Sequence, residues 1–333
     1  MNTDARIEAY RNTLHRFDSW IECHRQPDGG WTSPSTPAGY FSLPPYAYEV
    51  GRRDWALSTM RYVEESFIGA DRTLQQNRDR MLPYVPAWLA WGANMTEAFR
   101  LSSSLLDQVL NYRSPSGAFF GSEDGRRTGR GPIDFDSTAM STIALAQCGR
   151  VEDCTRSADF LVGLYEGQRD LDTNLCTAWS EPEGLGIFGD EVPPTTILRW
   201  AEPSQHYYKV GLFTLALGYS YGATGNTRYL DCGVEVYRRT VSSAVDLFTN
   251  TLSHKMCWAA ILLHSITGES QYLEHACRFS DHLVSIQQDD GAFNYPELWP
   301  DYPPAPWELV PNAGGQFGLW IARTLSRLIS STC

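Results

Sequence analysis

Two carboxylates stand one residue apart in Gly131-Pro132-Ile133-Asp134-Phe135-Asp136-Ser137-Thr138-Ala139-Met140, at what reads as the first turn of an apolar helix. Glycine and proline end the preceding loop. Asp or Ser suits a helix start because the unsatisfied backbone N–H groups there need an acceptor. Two roles are open to the pair. As caps, Asp134 and Asp136 satisfy first-turn amides. As chemistry, two close carboxyl groups do not both ionise readily, so the pair keeps a proton and acts as an acid, with Asp136 donating and Asp134 assisting.

Other side chains with chemical capacity recur at similar places. His206, in Gln205-His206-Tyr207-Tyr208-Lys209, opens a second apolar helix. An imidazole is readily moved across neutrality, so His206 is either a donor or base beside the acid, or a satisfied core histidine. His254 and Trp258 lie one helical turn apart and share a face. Tyr40, Tyr46, Trp88, Trp91, Trp179, Tyr207 and Trp307 fall on apolar helices or in long loops. With His254 and Trp258 they are the candidates for an aromatic substrate pocket, against the alternative of core packing. Glu49 and Glu308 are further candidates as proton acceptors.

The elements that position these residues are helical. Apolar residues return at helical spacing in 5–24, followed by Gln26-Pro27-Asp28-Gly29-Gly30-Trp31, and strand signals are scarce. Segments 82–95, 133–147, 204–221, 251–267 and 313–328 are apolar all round. Segments 97–112, 151–165, 228–247 and 271–286 have one polar face. With 5–24, 39–50 and the helix after Gly51, the pattern alternates strictly between buried and one-sided helices, twelve in all. An all-round apolar helix must be enclosed, whereas a one-sided helix lies outside it. The expectation is an all-α (α/α)6 barrel of six helical hairpins, a single domain over 1–333, with long loops near 166–203 and 293–311 covering one mouth.

An internal repeat supports the ring. The segment from Tyr40 to Gly51 aligns without gaps on that from Tyr207 to Gly218. Asp28-Gly29-Gly30-Trp31, Ser116-Gly117-Ala118-Phe119 and Asp290-Gly291-Ala292-Phe293 recur as turns between hairpins.

Composition removes other classes. Formal net charge is −12, and the longest basic cluster is Arg126-Arg127-Thr128-Gly129-Arg130, which argues against a nucleic-acid partner. The eight cysteines show no CxxC spacing and no compact framework, so they read as reduced thiols in a cytoplasmic protein. The first twenty residues are too charged for a signal peptide, and no apolar run approaches ~18 residues, so no transmembrane segment is expected. No phosphate loop, dinucleotide fingerprint or Asp-rich magnesium motif is present, and neither a metal nor a cofactor is expected.

These features resemble the terpenoid-cyclase/prenyltransferase alpha-alpha toroid, typified by squalene–hopene cyclases. Gln26 to Trp31 is similar to a QW-type repeat element, and Gln287-Gln288-Asp289-Asp290-Gly291-Ala292-Phe293 to a weaker one with Phe for Trp. Asp134-Phe135-Asp136-Ser137-Thr138-Ala139 is similar to the DxDDTA motif of class II cyclases. The resemblance implies that Asp136 protonates an alkene or epoxide to start a carbocation cascade. Ser137 departs from the pattern, where the family has its last Asp. The zinc pattern of the prenyltransferase beta subunits is not met, since Asp231-Cys232 is adjacent and on an outer helix. The expected function is a cofactor-independent acid-catalysed cyclase, isomerase or dehydratase of a small apolar, prenylated or terpenoid substrate. The alternative is an intracellular carbohydrate-active (α/α)6 enzyme: a glycoside hydrolase, lyase or sugar epimerase. In that case Glu49, Asp172 or Glu183 pairs with Asp134 or Asp136 across the scissile bond. A non-catalytic toroid that binds a partner through its ring face is the third reading.

Overall fold

The alternation of helix types determines the architecture of the computed structural model, which describes residues 1–31, 36–75, 82–133, 135–181, 184–185, 196–293 and 310–332. Six helices with a single apolar stripe form the outer layer: α1 (Thr3–His24), α3 (Arg53–Phe67), α5 (Phe99–Leu110), α8 (Val151–Glu166), α10 (Thr227–Ser243) and α12 (Ser270–Ser285). In α10 the buried positions are Tyr229, Cys232, Gly233, Val236, Tyr237 and Thr240, a stripe at helical spacing. Six helices enclosed over most of their length form the inner layer: α2 (Leu43–Glu49), α4 (Tyr84–Met95), α7 (Phe135–Gln147), α9 (Tyr208–Thr224), α11 (His254–Thr267) and α13 (Val310–Thr332), the last exposing Ser326, Arg327, Ser330 and Ser331 near its C-terminal end. In α4 every residue from Tyr84 to Ala93 is buried.

Each inner helix packs on the next in the order α2, α4, α7, α9, α11, α13, and α13 returns to α2, closing the (α/α)6 ring. Because each inner helix follows an outer one that runs the other way, all six inner N-termini gather at one mouth. Asp136, Tyr208, His254 and Lys255 therefore share an end of the barrel.

The repeated turns lock neighbouring hairpins together. Gly29, Gly117 and Gly291 adopt φ of +95°, +96° and +94°. A Cβ on them would lie 2.3 Å from the Ser58 carbonyl oxygen, 2.6 Å from that of Arg156 and 2.4 Å from that of Arg16. Only glycine meets both demands: left-handed backbone, and contact with the backbone of the next outer helix.

Two features differ from the sequence expectation. A short helix, α6 (Glu123–Thr128), is inserted before α7, capped by the Ser122 side chain and closed by Gly129 in the left-handed region. The stretch read as an irregular loop at 166–203 contains strands among its described residues. β1 (Gly131–Ile133) pairs antiparallel with β3 (Trp179–Glu181), which pairs with β4 (Gly184–Leu185). β2 (Asn174–Cys176) pairs with β5 (Ile197–Arg199). Strands this short carry too few residues for a period-2 pattern; tertiary pairing makes them. Of the expected second loop, 294–309 lies outside the described residues.

The seven described cysteines are unbridged. No helix among the described residues is long and apolar enough to cross a membrane.

Candidate active site

Asp136 lies in the first turn of α7, immediately beyond β1. Tyr208, the first residue of the neighbouring inner helix α9, donates its hydroxyl to Asp136 Oδ2 at 3.0 Å. This contact joins two adjacent staves of the ring at the mouth. His206 stands two residues earlier, with its ring 5.6 Å from that of Tyr208. Burial and the nearby Lys209 lower its pKa, and Asp136 opposes them, so the imidazole is neutral at pH 7. His206 Nδ1 is buried without a hydrogen-bond partner among the described residues.

His254 opens α11. Its ring stacks on Tyr208 at 6.1 Å and meets Phe317 of α13 edge-on at 5.3 Å. Burial and the adjacent Lys255 push its pKa down to about 3, so it too is uncharged, with Nδ1 held 3.0 Å from the Thr251 carbonyl oxygen.

Two lysines complete the mouth. Lys255 is only 4% exposed, and its ammonium donates to the Tyr84 hydroxyl at 2.6 Å. Tyr84 begins α4, which is not a ring neighbour of α11, so this bond spans the barrel axis. The ammonium also lies 5.0 Å from the centre of the Tyr208 ring and 5.2 Å from that of Tyr84, within cation–π range. Burial lowers the Lys255 pKa to about 8 against the opposing pull of Asp136. Lys209 is 6% exposed, and its one side-chain hydrogen bond among the described residues is a long 3.5 Å contact to the Thr177 hydroxyl, between β2 and β3. The short strands therefore form part of this wall. Backbone packing brings α9 and α11 close enough for the arrangement: a Cβ on Gly211 would lie 2.4 Å from the Lys255 carbonyl carbon.

Of the residues expected from sequence, the structure brings Asp136, His206 and His254 together around Tyr208. Asp134 and Trp307 lie outside the described residues, as do Glu183 and Glu308. Tyr40, Tyr46 and Tyr207 are fully buried and have other partners: Tyr40 accepts from the Trp31 amide, Tyr46 donates to Asp18 at 2.6 Å, and Tyr207 reaches the Glu202 carbonyl. Trp179, on β3, packs edge-on against Phe160 of α8. Trp88, Trp91 and Trp258 fill the barrel instead of lining a cleft at the acid. Trp258 stacks on Trp91 at 5.2 Å and on Trp320 at 4.5 Å, with Trp88 against all three. Contacts between α4 and α11 again mean that these indoles meet on the axis. Asp172 is exposed and paired with Arg239. Glu49 lies at the opposite mouth, paired with Arg323 at 3.0 Å, in a cavity of about 390 Å³ also lined by Tyr219 and Trp258.

Tyr84, Tyr208, Lys209 and Lys255 are additions to the sequence reading. The lysines carried a readable signal: they are the only two in the 333 residues, every other basic side chain of the Lys/Arg class is arginine, and both stand at the starts of apolar helices. The tyrosines carried none that separated them from core aromatics.

Neither a family model nor a curated protein matches this chain. Solved structures do. A family 76 glycoside hydrolase, an alpha-mannanase from Bacteroides thetaiotaomicron, matches with a TM-score of 0.66 at 11% identity, over 99% of this chain and 100% of its own. Cellobiose 2-epimerase from Bacillus thermoamylovorans gives 0.66 at 11% identity, over 97% and 100%. An unsaturated glucuronyl hydrolase specific for heparin gives 0.61 at 12%, over 99% and 98%. At such identities the likeness establishes the shared toroid. The names also correct the expected function: the full-length matches reported are proteins named for carbohydrates. The cyclase, isomerase or dehydratase of an isoprenoid is accordingly withdrawn, along with its apolar substrate and carbocation.

Proposed function

We propose that this chain is a carbohydrate-active enzyme that holds a sugar at the mouth formed by the inner-helix N-termini, with Asp136 transferring a proton to or from it. The observation that carries this is the polar character of that mouth. Around the Tyr208–Asp136 bond, the helix starts bury several polar atoms without hydrogen-bond partners among the described residues: His206 Nδ1, Ser253 Oγ and Asn312 Oδ1. Buried polar atoms need partners, and a sugar presents donors and acceptors on every face. A hydrocarbon substrate would leave them unpaired at a cost of about 1–3 kcal/mol each.

The group suits proton transfer. Tyr208 fixes one oxygen of Asp136, and the neutral imidazole of His206 is able to accept a proton nearby. Proton transfer of this kind is common to glycoside hydrolysis, elimination and epimerisation.

The test is turnover of alpha-mannan, cellobiose and unsaturated glucuronyl oligosaccharides, followed by new reducing ends, by NMR of C2 epimers and by loss of the unsaturated-uronate absorbance. Asp136→Asn is expected to lower turnover by about 10²-fold or more with the fold intact. A folded Asp136→Asn protein working at the wild-type rate overturns the role of Asp136. Inertness of the wild-type chain towards all three classes overturns the carbohydrate assignment.

A further inference from the structure

The distribution of lysine is hard to explain by stability. Burying an ammonium costs several kcal/mol in order of magnitude, and only close ionic and hydrogen-bond partners offset it. This chain keeps no lysine on its described surface, where the charge would cost nothing, and places both of its lysines inside one mouth of the barrel. Asp136 is close enough for its charge to act on Lys255 and on His206, and Lys209 acts on His206 in turn. These side chains therefore form a single charge neighbourhood.

Among the described residues that neighbourhood holds two ammonium groups and one carboxylate, with His206 and His254 neutral. No ion pair involves either lysine among the described residues, and the hydrogen bonds they make go to the hydroxyls of Tyr84 and Thr177. Among the described residues, one positive charge has no carboxylate to compensate it. The N-termini of α7, α9 and α11 add positive potential at the same end. The opposite mouth provides a contrast, since Arg323 there is paired with Glu49.

We propose that Lys209 and Lys255 form the seat of an anionic substituent, a carboxylate or a phosphate, on the substrate; that the substrate is a sugar rests on the assignment above. The ammonium is a compact point charge with three donors, whereas the guanidinium used elsewhere in the chain presents a planar fork. Lys209, whose only described side-chain hydrogen bond is long, supplies the main contact, and Lys255, on the adjacent stave α11, adds a second while balancing Asp136.

Titration calorimetry of the full chain with glucose, glucuronate, glucose 6-phosphate and inorganic phosphate tests the seat. One of the two charged sugars is expected to bind roughly 10–100-fold tighter than glucose, the gain of a charge-assisted hydrogen bond, and the stronger of them identifies the group as carboxylate or phosphate. Lys209→Met and Lys255→Met should each reduce that preference, measured as the ratio of charged-sugar to glucose affinity. Lys209→Gln provides a second variant if Lys209→Met does not fold. Equal affinity for glucose and both charged sugars in the wild-type chain overturns the seat and leaves the carbohydrate assignment standing. A preference that survives in both lysine variants also overturns it. Lysine-dependent binding of inorganic phosphate with no binding of any sugar supports the seat and overturns the carbohydrate assignment.

Discussion

Tyr208 Oη lies 3.0 Å from Asp136 Oδ2 and joins the first turns of two neighbouring inner helices, α9 and α7. The same phenol ring faces the Lys255 ammonium and stacks on His254, so one side chain touches three of the groups at the mouth. Removing only its hydroxyl separates the bond from the packing. Tyr208→Phe should keep the ring contacts and leave the melting temperature nearly unchanged. Loss of a hydrogen bond to a carboxylate is worth about 1.5–3 kcal/mol, so turnover should fall roughly 10–100-fold. Steady-state rates alongside thermal melts check this; an unchanged rate means that Tyr208 does not position Asp136.

The close approach of Gly211 to Lys255 leads to a second expectation. Gly211→Ala places a methyl group 2.4 Å from a backbone carbonyl carbon, an atom fixed by its own helix. The helices must separate, at a cost of about 1–3 kcal/mol for overpacking. Because α9 carries Tyr208 and Lys209 while α11 carries Lys255, activity should fall further than stability explains. Urea denaturation measures the first effect, and turnover under conditions where the variant is fully folded measures the second.

Lys255→Met should stabilise the protein at neutral pH. Burial takes the Lys255 pKa from an ordinary 10.5 to about 8, with Asp136 opposing the fall and Tyr84, Tyr208 and His254 as the other groups around it. A lysine whose folded pKa lies below its unfolded value destabilises the native state fully below the folded pKa. That penalty is relieved as pH rises from about 8 to 10.5, where the unfolded chain binds the proton more strongly. Methionine removes the penalty, so the gain should be about 1–3 kcal/mol at pH 7 and should shrink across the window from 8 to 10.5. Chemical denaturation at pH 6, 7, 9 and 10 measures it. A destabilised Lys255→Met protein at pH 7 would mean that the lysine is held for structure.

The sequence by itself determined the ring. Helical periodicity is a local property, and whether a helix is apolar on all sides or on one is written in its own residues, so six enclosed and six one-sided helices were legible without coordinates. So were the turn glycines and the place of Asp136 at the start of an enclosed helix. Tertiary structure alone decided what surrounds Asp136. Tyr84 and Lys255 are separated by 170 intervening residues and bond only because α4 and α11 face each other across the axis. Trp88, Trp91 and Trp258 read as pocket walls because an indole that lines a cavity and one that plugs a core share the same sequence pattern. Only the closed ring shows that they meet across the axis. The paired segments of β1 to β5 were illegible for a related reason, since two or three residues have no period of their own and become strands only against a partner. Local patterning specifies which helices form and which faces they bury. The charge and chemistry of the mouth arise from groups distant in sequence, and only the closed ring sets them within reach of one another.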